Sequence, residues 1–330
     1  MTVQSVLVTG GAGFIGSHTC KLLQRAGYRP VTYDNLSTGH ADAVRFGPFV
    51  RGDLRDVATL TAALREHRVG AILHFAASAY VGESVLQPAG CYSNNVGGMM
   101  ALLEAAKAAR VARIVLSSSC ATYGIPASLP IREDSPQHPI NPYGRTKLIC
   151  EQMLADYAPA DGFRYAALRY FNGAGADPEG ELAERHMPET HLIPLALMAA
   201  AGMRPALSVF GTDYATPDGT CIRDYIHVQD LARAHVMALR YLLDGGTSHA
   251  VNLGTAQGLS IRQIIAAIER MTGRPLPVSY EARRAGDPPV LTADPTLAKV
   301  LFGFRTEYSD IDQILQHAAP QFGLGVASAA

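Results

Sequence analysis

Short apolar runs alternate with helical stretches along the first half of the chain. Apolar, β-branched runs predict strands at Ser5–Val8, Pro30–Tyr33, Pro48–Arg51, Ala71–Phe75, Arg113–Leu116 and Tyr165–Arg169. Between them, apolar residues at helical spacing predict helices at Ile15–Ala26, Val57–His67, Asn95–Ala109 and Tyr143–Tyr157. This alternation favours a parallel sheet covered on both faces. With right-handed crossovers, we expect an α/β fold with a doubly wound, Rossmann-like sheet.

The alternation ends near Asn172. Residues 173–225 are rich in Gly, Pro and acidic residues and show no clear period, and they are followed by a strand-like Ala250–Leu253 and a helical Ile261–Met271. We therefore predict a Rossmann domain over residues 1–172 and a smaller mixed α/β lobe over residues 173–330. Some of the later chain is expected to cross back to the first domain, while the lobe closes over the carboxyl edge of the sheet.

Composition excludes several classes of protein. The 330 residues are 48% hydrophobic and 17% charged, which is typical of a well-packed globular protein. A net charge of −1 gives no global reason to expect nucleic acid or an anionic membrane as a partner. The sequence has no apolar run of about 18 residues, which a membrane span would need, and enters its first predicted strand without a signal peptide. We expect a cytoplasmic protein.

Cysteine and histidine spacing predicts no metal site. The five cysteines are an odd number and form no CxxC pair, so we expect them to be reduced and unligated. The eleven histidines show no ligand spacing such as HExxH.

A glycine-rich loop follows the first predicted strand and leads into the first helix. Gly10 permits a tight turn, Gly13 lets the backbone approach a pyrophosphate, and Gly16 lets the helix pack closely on the strand. Backbone N–H groups at the helix start, around Phe14 and Ile15, then face the phosphates. The loop therefore predicts a bound dinucleotide.

An acidic residue at the end of the second predicted strand indicates which dinucleotide. Asp34 lies 18 residues after Gly16, where a carboxylate accepts hydrogen bonds from ribose hydroxyls and repels a 2′-phosphate. We therefore expect NAD rather than NADP. The alternative is that Asp34 is a turn residue before Asn35.

Two later strand ends extend the predicted cofactor site. Asp53 either caps the next helix or bonds the adenine amine, and the sequence favours neither role. Phe75, Ala76 and Ala77 follow the fourth strand, where small residues either let the cofactor lie against the backbone or allow tight helix–strand packing.

A tyrosine and a lysine carry the candidate chemistry. Tyr143 and Lys147 are four residues apart in a predicted helix, so both project from one face. A free tyrosine has a pKa near 10. The lysine ammonium and a positive nicotinamide ring are expected to lower that pKa, so that the phenolate can act as a base. Ser119, at the end of the fifth strand, is placed to share the substrate proton, so the group indicates an extended short-chain dehydrogenase/reductase.

Within that superfamily the chain resembles the UDP-glucose (UDP-galactose) 4-epimerases over nearly its whole length. The resemblance rests on TGGAGFIGSH, YDNLSTGH, HFAA with VGES, SSSCATYG, NPYGRTK, LRYFN, GTCIRDYIHV and ARRAGDPP. It implies that NAD stays bound, that the sugar C4 hydride passes to NAD, and that the hydride returns to the other face of a rotated 4-keto sugar. Tyr143 would be the base, Lys147 its modulator, and Ser119 would bond the 4-oxygen.

The resemblance also implies binding residues. For NAD, it adds Asn35, Leu54, Asn94, Ser117 and Phe171 to the residues above. For a UDP-sugar, it implies that Asn172 contacts the diphosphate and that Arg223 and Arg284 pair with it. Asp287 would hold the uridine ribose and the Ser208–Phe210 strand the uracil, with His191, Leu192 and Leu291 completing the pocket. Without the family, either arginine reads as a surface or structural ion pair.

Three positions depart from the family pattern. Ala79 replaces a lysine that lines the cofactor cleft in some members, which predicts looser NAD retention. His191 stands where asparagine is common, and either donates to a phosphate or packs in its loop. Leu291 replaces a bulkier tyrosine, which predicts some acceptance of N-acetylated sugars.

Other functions stay open. CATYG, PINPYG and DGTC also resemble pentose-specific relatives that interconvert UDP-xylose and UDP-arabinose. A 4,6-dehydratase is disfavoured, because Ser119 is followed by Cys120-Ala121 instead of an Asp-Glu pair. A non-catalytic NAD-binding sensor is the alternative of another class. The apolar residues of Met99–Ala109 and Leu148–Tyr157 predict a homodimer through a four-helix seam, or else simple packing on the sheet.

Overall fold

Parallel strands form the central sheet of this protein, a computed structural model of which describes residues 4–284 and 287–325. Helices cover both faces of the sheet. Up to residue 169 the elements are β1 (Ser5–Thr9), α1 (Phe14–Arg25), β2 (Arg29–Asp34), β3 (Phe49–Arg51), α2 (Val57–Glu66), β4 (Val69–His74), α3 (Val81–Leu86), α4 (Pro88–Tyr92), α5 (Gly98–Ala109), β5 (Arg113–Ser117), α6 (Pro142–Asp161) and β6 (Arg164–Arg169).

The second half contains shorter elements. They are β7 (Asn172–Ala174), α7 (Leu192–Ala200), β8 (Leu207–Phe210), β9 (Ile222–His227), α8 (Val228–Leu243), β10 (His249–Asn252), β11 (Gly258–Ser260), α9 (Ile261–Thr272), β12 (Val278–Glu281), β13 (Val290–Leu291), α10 (Thr296–Phe302) and α11 (Ile311–Ala318). A π-helical turn occupies Ser93–Gly97, and 3-10 turns occupy Ala41–Ala43, Cys120–Thr122 and Ala319–Phe322.

The seven-stranded sheet has the order β3-β2-β1-β4-β5-β6-β10, and all its neighbours are parallel. The order reverses between β1 and β4, and ligands bind at such a reversal in open α/β sheets. Two smaller sheets belong to the second half: β11-β9-β13 with β7 beside β9, and β12-β8. The predicted fold class is confirmed.

Alternation along β1 explains the two helical layers. Val6 and Val8 contribute to a core that includes residues of α1 and α8, whereas Leu7 contributes to a core on the opposite face with α2, α5 and α6. All three side chains are fully buried. A strand buried on both faces reads as a continuous apolar run, which is why Ser5–Val8 could be predicted.

The second half differs from its prediction in two places. Residues 173–225, in which the sequence shows no clear period, contain β7, α7, β8 and the start of β9. The 16-residue helix α8 was not predicted, and it packs on α1. Through α8 and β10 the later chain returns to the seven-stranded sheet. The boundary at residue 172 stays a prediction.

Over residues 4–284 and 287–325, no helix is both long and apolar enough to cross a membrane. All five cysteines are buried and free.

Candidate functional site

The loop between β1 and α1 requires glycine where the sequence predicts it. Gly10 has a φ of +72°, and a Cβ there would lie 2.6 Å from the Ala76 nitrogen. A Cβ on Gly16 would lie 2.2 Å from the Gly10 oxygen, so the helix could not pack so closely on the loop. Gly13 is the N-cap of α1, where no described side chain caps the helix. The N–H groups of the first turn are thus left to an anion.

Asp34 fulfils the turn role and keeps acceptor capacity. Its buried carboxylate accepts hydrogen bonds from the Leu36 nitrogen at 2.8 Å and the Ala12 nitrogen at 3.0 Å. The bond to Leu36 forms the turn of the alternative interpretation, and the bond to Ala12 joins the acid to the glycine loop. Each carboxylate oxygen has a further lone pair, so ribose recognition is compatible with both bonds.

Asp53 does not cap the next helix. Asp56 does so, accepting a hydrogen bond from the Thr59 nitrogen at 3.0 Å. The capping alternative is therefore wrong. Asp53 instead binds Arg55, which lowers the pKa of the Asp53 carboxyl. It also accepts a hydrogen bond from the Asn35 amide at 3.2 Å, which brings two predicted cofactor residues together.

The segment after β4 lies against the glycine loop. Phe75 and Ala76 both donate backbone hydrogen bonds to the Thr9 oxygen, at 2.9 and 3.1 Å. The Phe75 ring packs on His235, with 4.5 Å between ring centroids. Tight packing, the alternative for this segment, is therefore present. Four more predicted cofactor residues lie near these elements. Ala77 follows Ala76, and Leu54 is buried near Gly98. Asn94 donates a hydrogen bond to Asn95 within the π-helical turn, and Phe171 packs against the cluster that contains Cys120.

The first turn of α6 holds the candidate catalytic pair. Asn141 caps the helix by accepting a hydrogen bond from the Gly144 nitrogen at 2.8 Å. Lys147, one turn after Tyr143, donates a hydrogen bond from Nζ to the backbone oxygen of Ser117 at 2.6 Å. Its Nζ lies 5.8 Å from the centroid of the Tyr143 ring. The helix start is thus fixed to the end of β5.

The protein's own groups do not lower the pKa of Tyr143. Burial raises the pKa of Tyr143 to about 12, and a hydrogen bond with Ser119 only partly opposes this. Burial also lowers the pKa of Lys147. The sequence predicted a lowered tyrosine pKa from the lysine and the nicotinamide together; within the protein alone, desolvation is the larger effect.

A buried polar network beneath the pair was not predicted. Arg169 binds Glu151 at distances of 2.5 to 3.1 Å, and Glu151 also accepts a hydrogen bond from Ser118. Tyr170 lies 2.5 Å from the Ser117 hydroxyl. Glu151 lies four residues after Lys147, and this helical spacing was the feature of the sequence that could have placed Glu151 on the same face of α6. The partners of β6 could not be read from spacing.

A second unpredicted residue is Asn95, which is buried in the π-helical turn. Its amide donates to the Thr146 hydroxyl at 2.9 Å and to the Ser78 oxygen at 3.1 Å. Single π-helical turns often occur at functional sites. Asn95 therefore joins the start of α6 to the segment after β4.

The predicted substrate residues fall into two groups. Leu291 of β13 pairs in register with Arg223 of β9, and the Arg223 guanidinium binds Asp287. The ion-pair alternative for Arg223 is thus present, and its partner is itself a predicted substrate residue. Arg284 lies 3.9 Å from the Phe210 ring centroid, on the strand that also carries Ser208. Asn172 starts β7, and its side-chain amide donates a hydrogen bond to the backbone oxygen of Asp224 at 3.2 Å.

His191 lies at the N-cap of α7, which begins at Leu192. Its side chain is 41% exposed and its ring packs on His186, with 4.7 Å between ring centroids, so contacts within the loop, the alternative for His191, are present. Its Nδ1 is 2.9 Å from Glu189 Oε1, within a group that also contains Glu184 and His186. Burial disfavours the His186 imidazolium, but the two carboxylates outweigh this and raise the pKa of His186 to about 9.

Known proteins resemble this chain closely. The family model of the NAD dependent epimerase/dehydratase family matches residues 6–254. A UDP-glucose 4-epimerase of Rhizobium leguminosarum bv. trifolii is 54% identical over 318 residues, covering 96% of this chain and 97% of the relative.

Solved structures agree. A UDP-glucose 4-epimerase from Brucella ovis in complex with NAD is 62% identical, with a TM-score of 0.97 and coverage of 98% of this chain and 100% of that chain. A UDP-glucose-4-epimerase from Stenotrophomonas maltophila with bound NAD and formylated UDP-arabinopyranose is 41% identical, with a TM-score of 0.94 and coverage of 97% and 98%. The chain therefore belongs to the NAD-dependent epimerase/dehydratase family, among the UDP-glucose 4-epimerases.

Proposed function

We propose that this protein interconverts UDP-glucose and UDP-galactose by inverting C4 through a transient 4-keto sugar, with NAD held tightly. The observation that carries the proposal is the catalytic group, in which Tyr143 and Lys147 share one turn of α6 and Lys147 is bonded to the end of β5. This group stands in a chain similar to UDP-glucose 4-epimerases over 96% of its length.

Each residue of the group has a distinct task. Bound NAD supplies the acceptor for the C4 hydride and the positive charge that the Tyr143 phenolate needs. Tyr143 takes the proton from the sugar 4-hydroxyl and gives it back, with Ser119 bonding the same oxygen. Lys147, whose pKa is lowered by burial, positions the nicotinamide ribose.

The diphosphate and nucleoside are assigned to the second half of the chain. Arg223 and Arg284 supply the cationic, multidentate donors that a pyrophosphate needs. Asn172, His191 and Leu192 complete the diphosphate side. Asp287 is proposed for the uridine ribose and the strand from Ser208 to Phe210 for the uracil.

Elimination of water, as in a 4,6-dehydratase, is disfavoured by Cys120. This residue is 1% exposed, and burial raises the pKa of its thiol well above the usual value. A buried thiol that stays protonated cannot act as the base that the elimination requires, and Ala121, the next residue, has no acidic group. The epimerase reaction needs no such group.

A second candidate substrate class is the N-acetylated UDP-sugars. Leu291 lies partly buried against a cluster that contains Cys120, the residue that directly follows Ser119 in the sequence. A tyrosine there would fill space that an N-acetyl group needs. We expect Leu291→Tyr to lower the ratio of kcat/KM for UDP-GlcNAc to that for UDP-glucose by about tenfold. An unchanged ratio would reject the role of Leu291. The pentose alternative is tested by measuring kcat/KM for UDP-xylose in the same assay.

We also propose a cytoplasmic homodimer. Met100 on α5 is 57% exposed, and the neighbouring face of α6 carries the half-buried Leu148 and Ile149. Burying these apolar side chains against a second copy would stabilise a four-helix seam. Sedimentation velocity is expected to show a dimer that Met100→Glu weakens. A wild-type monomer at micromolar concentration would contradict the seam.

The reaction is tested without added cofactor. Protein freed of small molecules by gel filtration is incubated with UDP-glucose, and UDP-galactose is measured. We expect conversion to the equilibrium mixture. Conversion only after NAD is added would contradict tight retention, and no conversion even with NAD would contradict the reaction itself.

A further inference from the structure

The segment between β7 and α7 brings together two imidazoles and two carboxylates. Their ligand atoms all lie within 4.8 Å of one another. We call this group the 184–191 cluster; its members are Glu184, His186, Glu189 and His191. The sequence showed no familiar ligand spacing here, and the proposed epimerase reaction assigns a task only to His191.

Several distances within the cluster are close to those between neighbouring ligands of a tetrahedral metal site. Bonds of about 2.0–2.1 Å from zinc to nitrogen or oxygen place neighbouring ligand atoms about 3.3 to 3.4 Å apart. His186 Nδ1 lies 3.3 Å from Glu184 Oε1 and 3.4 Å from Glu189 Oε2. His191 Nδ1 lies 3.2 Å from the same Glu184 oxygen, Oε1, and 2.9 Å from the other Glu189 oxygen, Oε1.

Burial places a demand for positive charge on the cluster. The Glu184 side chain is only 3% exposed. A buried carboxylate is stable only when paired with a cation or bound to a metal. Both imidazoles present Nδ1 to Glu184 Oε1, and one ligand atom from each of the four residues lies within 4.8 Å of the other three.

The ligands are held in place by contacts outside the cluster. Glu189 Oε1 accepts hydrogen bonds from the Thr190 and His191 nitrogens, both at 2.8 Å. The His186 ring packs edge-on against Phe14, the first residue of α1, and against Tyr80, with centroids 6.2 and 6.0 Å apart. Supporting contacts of this kind orient metal ligands and strengthen binding.

We propose that the 184–191 cluster binds one divalent transition-metal ion, with zinc the best fit to two nitrogen and two oxygen ligands. The ion would brace the segment before α7 against the glycine loop and fix the orientation of His191. It takes no part in hydride or proton transfer. The inference does not depend on the proposed reaction, because metal binding is measured without turnover.

The test is metal content on protein without an affinity tag. Wild-type protein is loaded with Zn²⁺, desalted and measured by inductively coupled plasma mass spectrometry, with Co²⁺ absorption reporting coordination geometry. We expect about one ion per chain, with a tetrahedral Co²⁺ spectrum. His186→Ala and the near-isosteric Glu184→Gln are expected to lose at least about tenfold in zinc affinity. His67→Ala, altered at the C-cap of α2, is the control and should keep the ion.

Two results would overturn the proposal. One is a wild-type protein that holds no stoichiometric zinc after loading, which would mean that the cluster consists of imidazolium–carboxylate pairs alone. The other is equal zinc binding by wild type and both cluster variants. Circular dichroism and NAD content establish whether the variants are folded. If His186→Ala does not fold, the zinc affinity of Glu184→Gln alone decides whether the cluster binds the ion.

Discussion

Burial raises the pKa of Tyr143 to about 12, so the tyrosine alone is protonated in neutral solution. The base role that we propose for Tyr143 therefore depends on positive charge placed beside it. Lys147 supplies part of this charge, 5.8 Å from the ring centroid. The rest must come from the nicotinamide of bound NAD. The residue is thus active only in the loaded protein.

Tyr143→Phe separates an enzyme from a sensor. We expect turnover of UDP-glucose to fall by at least about 10² to 10⁴-fold, because the proton acceptor is lost. NAD content, measured after denaturation, should stay near the wild-type value, since the ring is preserved. A variant with undiminished turnover would show that Tyr143 is not the base.

Asp34 sets the choice of cofactor in this account. Its carboxylate accepts hydrogen bonds from the Ala12 and Leu36 nitrogens, and its negative charge is expected to repel a 2′-phosphate. After the cofactor is stripped, we expect the protein to refill with NAD in preference to NADP, and Asp34→Ala to narrow that preference by about tenfold or more. Isothermal titration with each dinucleotide measures it. Tighter NADP binding by the wild type would contradict the assignment.

At the scale of elements, α6 is joined to β6 by the Glu151–Arg169 pair. The two side chains are 7% and 5% exposed, and Ser118 and Tyr123 complete the network. Removing one partner leaves an uncompensated buried charge. The pair therefore fixes the helix that carries Tyr143 against the strand ends beneath it.

Glu151→Ala is expected to cost about 3–5 kcal/mol of the free energy of unfolding. Replacing both partners, as in Glu151→Leu with Arg169→Met, should recover part of that loss because no charge is left unpaired. Glu104→Ala, on the exposed side of α5, is the control and should change stability by less than about 0.5 kcal/mol. Urea unfolding provides the values, and a small effect of Glu151→Ala would show that the pair is not needed.

Elements were predictable where local pattern determines them. The strands from β1 to β6 and helices α1, α2, α6 and α9 lie within a few residues of their predictions, because apolar periodicity and strand-end glycines mark them. Helix α8 was missed because it follows β9 without a Gly or Pro, and its N-cap is His227, an unusual cap. The Glu151–Arg169 pair and the 184–191 cluster depend on tertiary contacts that spacing does not reveal.

At the scale of the whole molecule, buried neutral histidines link stability to pH. Burial lowers the pKa of four of them: to about 4 for His18 and His235, and to about 3 for His74 and His227. An unfolded histidine takes up its proton below about pH 6.5. Between these values the unfolded state binds more protons, so acid favours unfolding.

Stability should therefore fall as pH drops from about 6.5 towards 4, by up to about 1.4 kcal/mol per pH unit for each such histidine. Urea unfolding at about pH 6.0 and about pH 5.0 checks the slope, because His186, whose pKa is about 9, is largely protonated in both the folded and the unfolded state at these pH values. His18→Asn, which removes one titrating group, should reduce it. Equal stability at the two pH values would mean that these histidines are not buried neutral groups.

The central claim is that one bound cofactor takes the C4 hydride and returns it to the same sugar. The most direct measurement uses UDP-glucose deuterated at C4, incubated with the protein in ordinary water without added NAD. Mass spectrometry and NMR then locate the label in the UDP-galactose formed. The account predicts that the deuterium remains at C4. Product carrying hydrogen from water at C4 would contradict it.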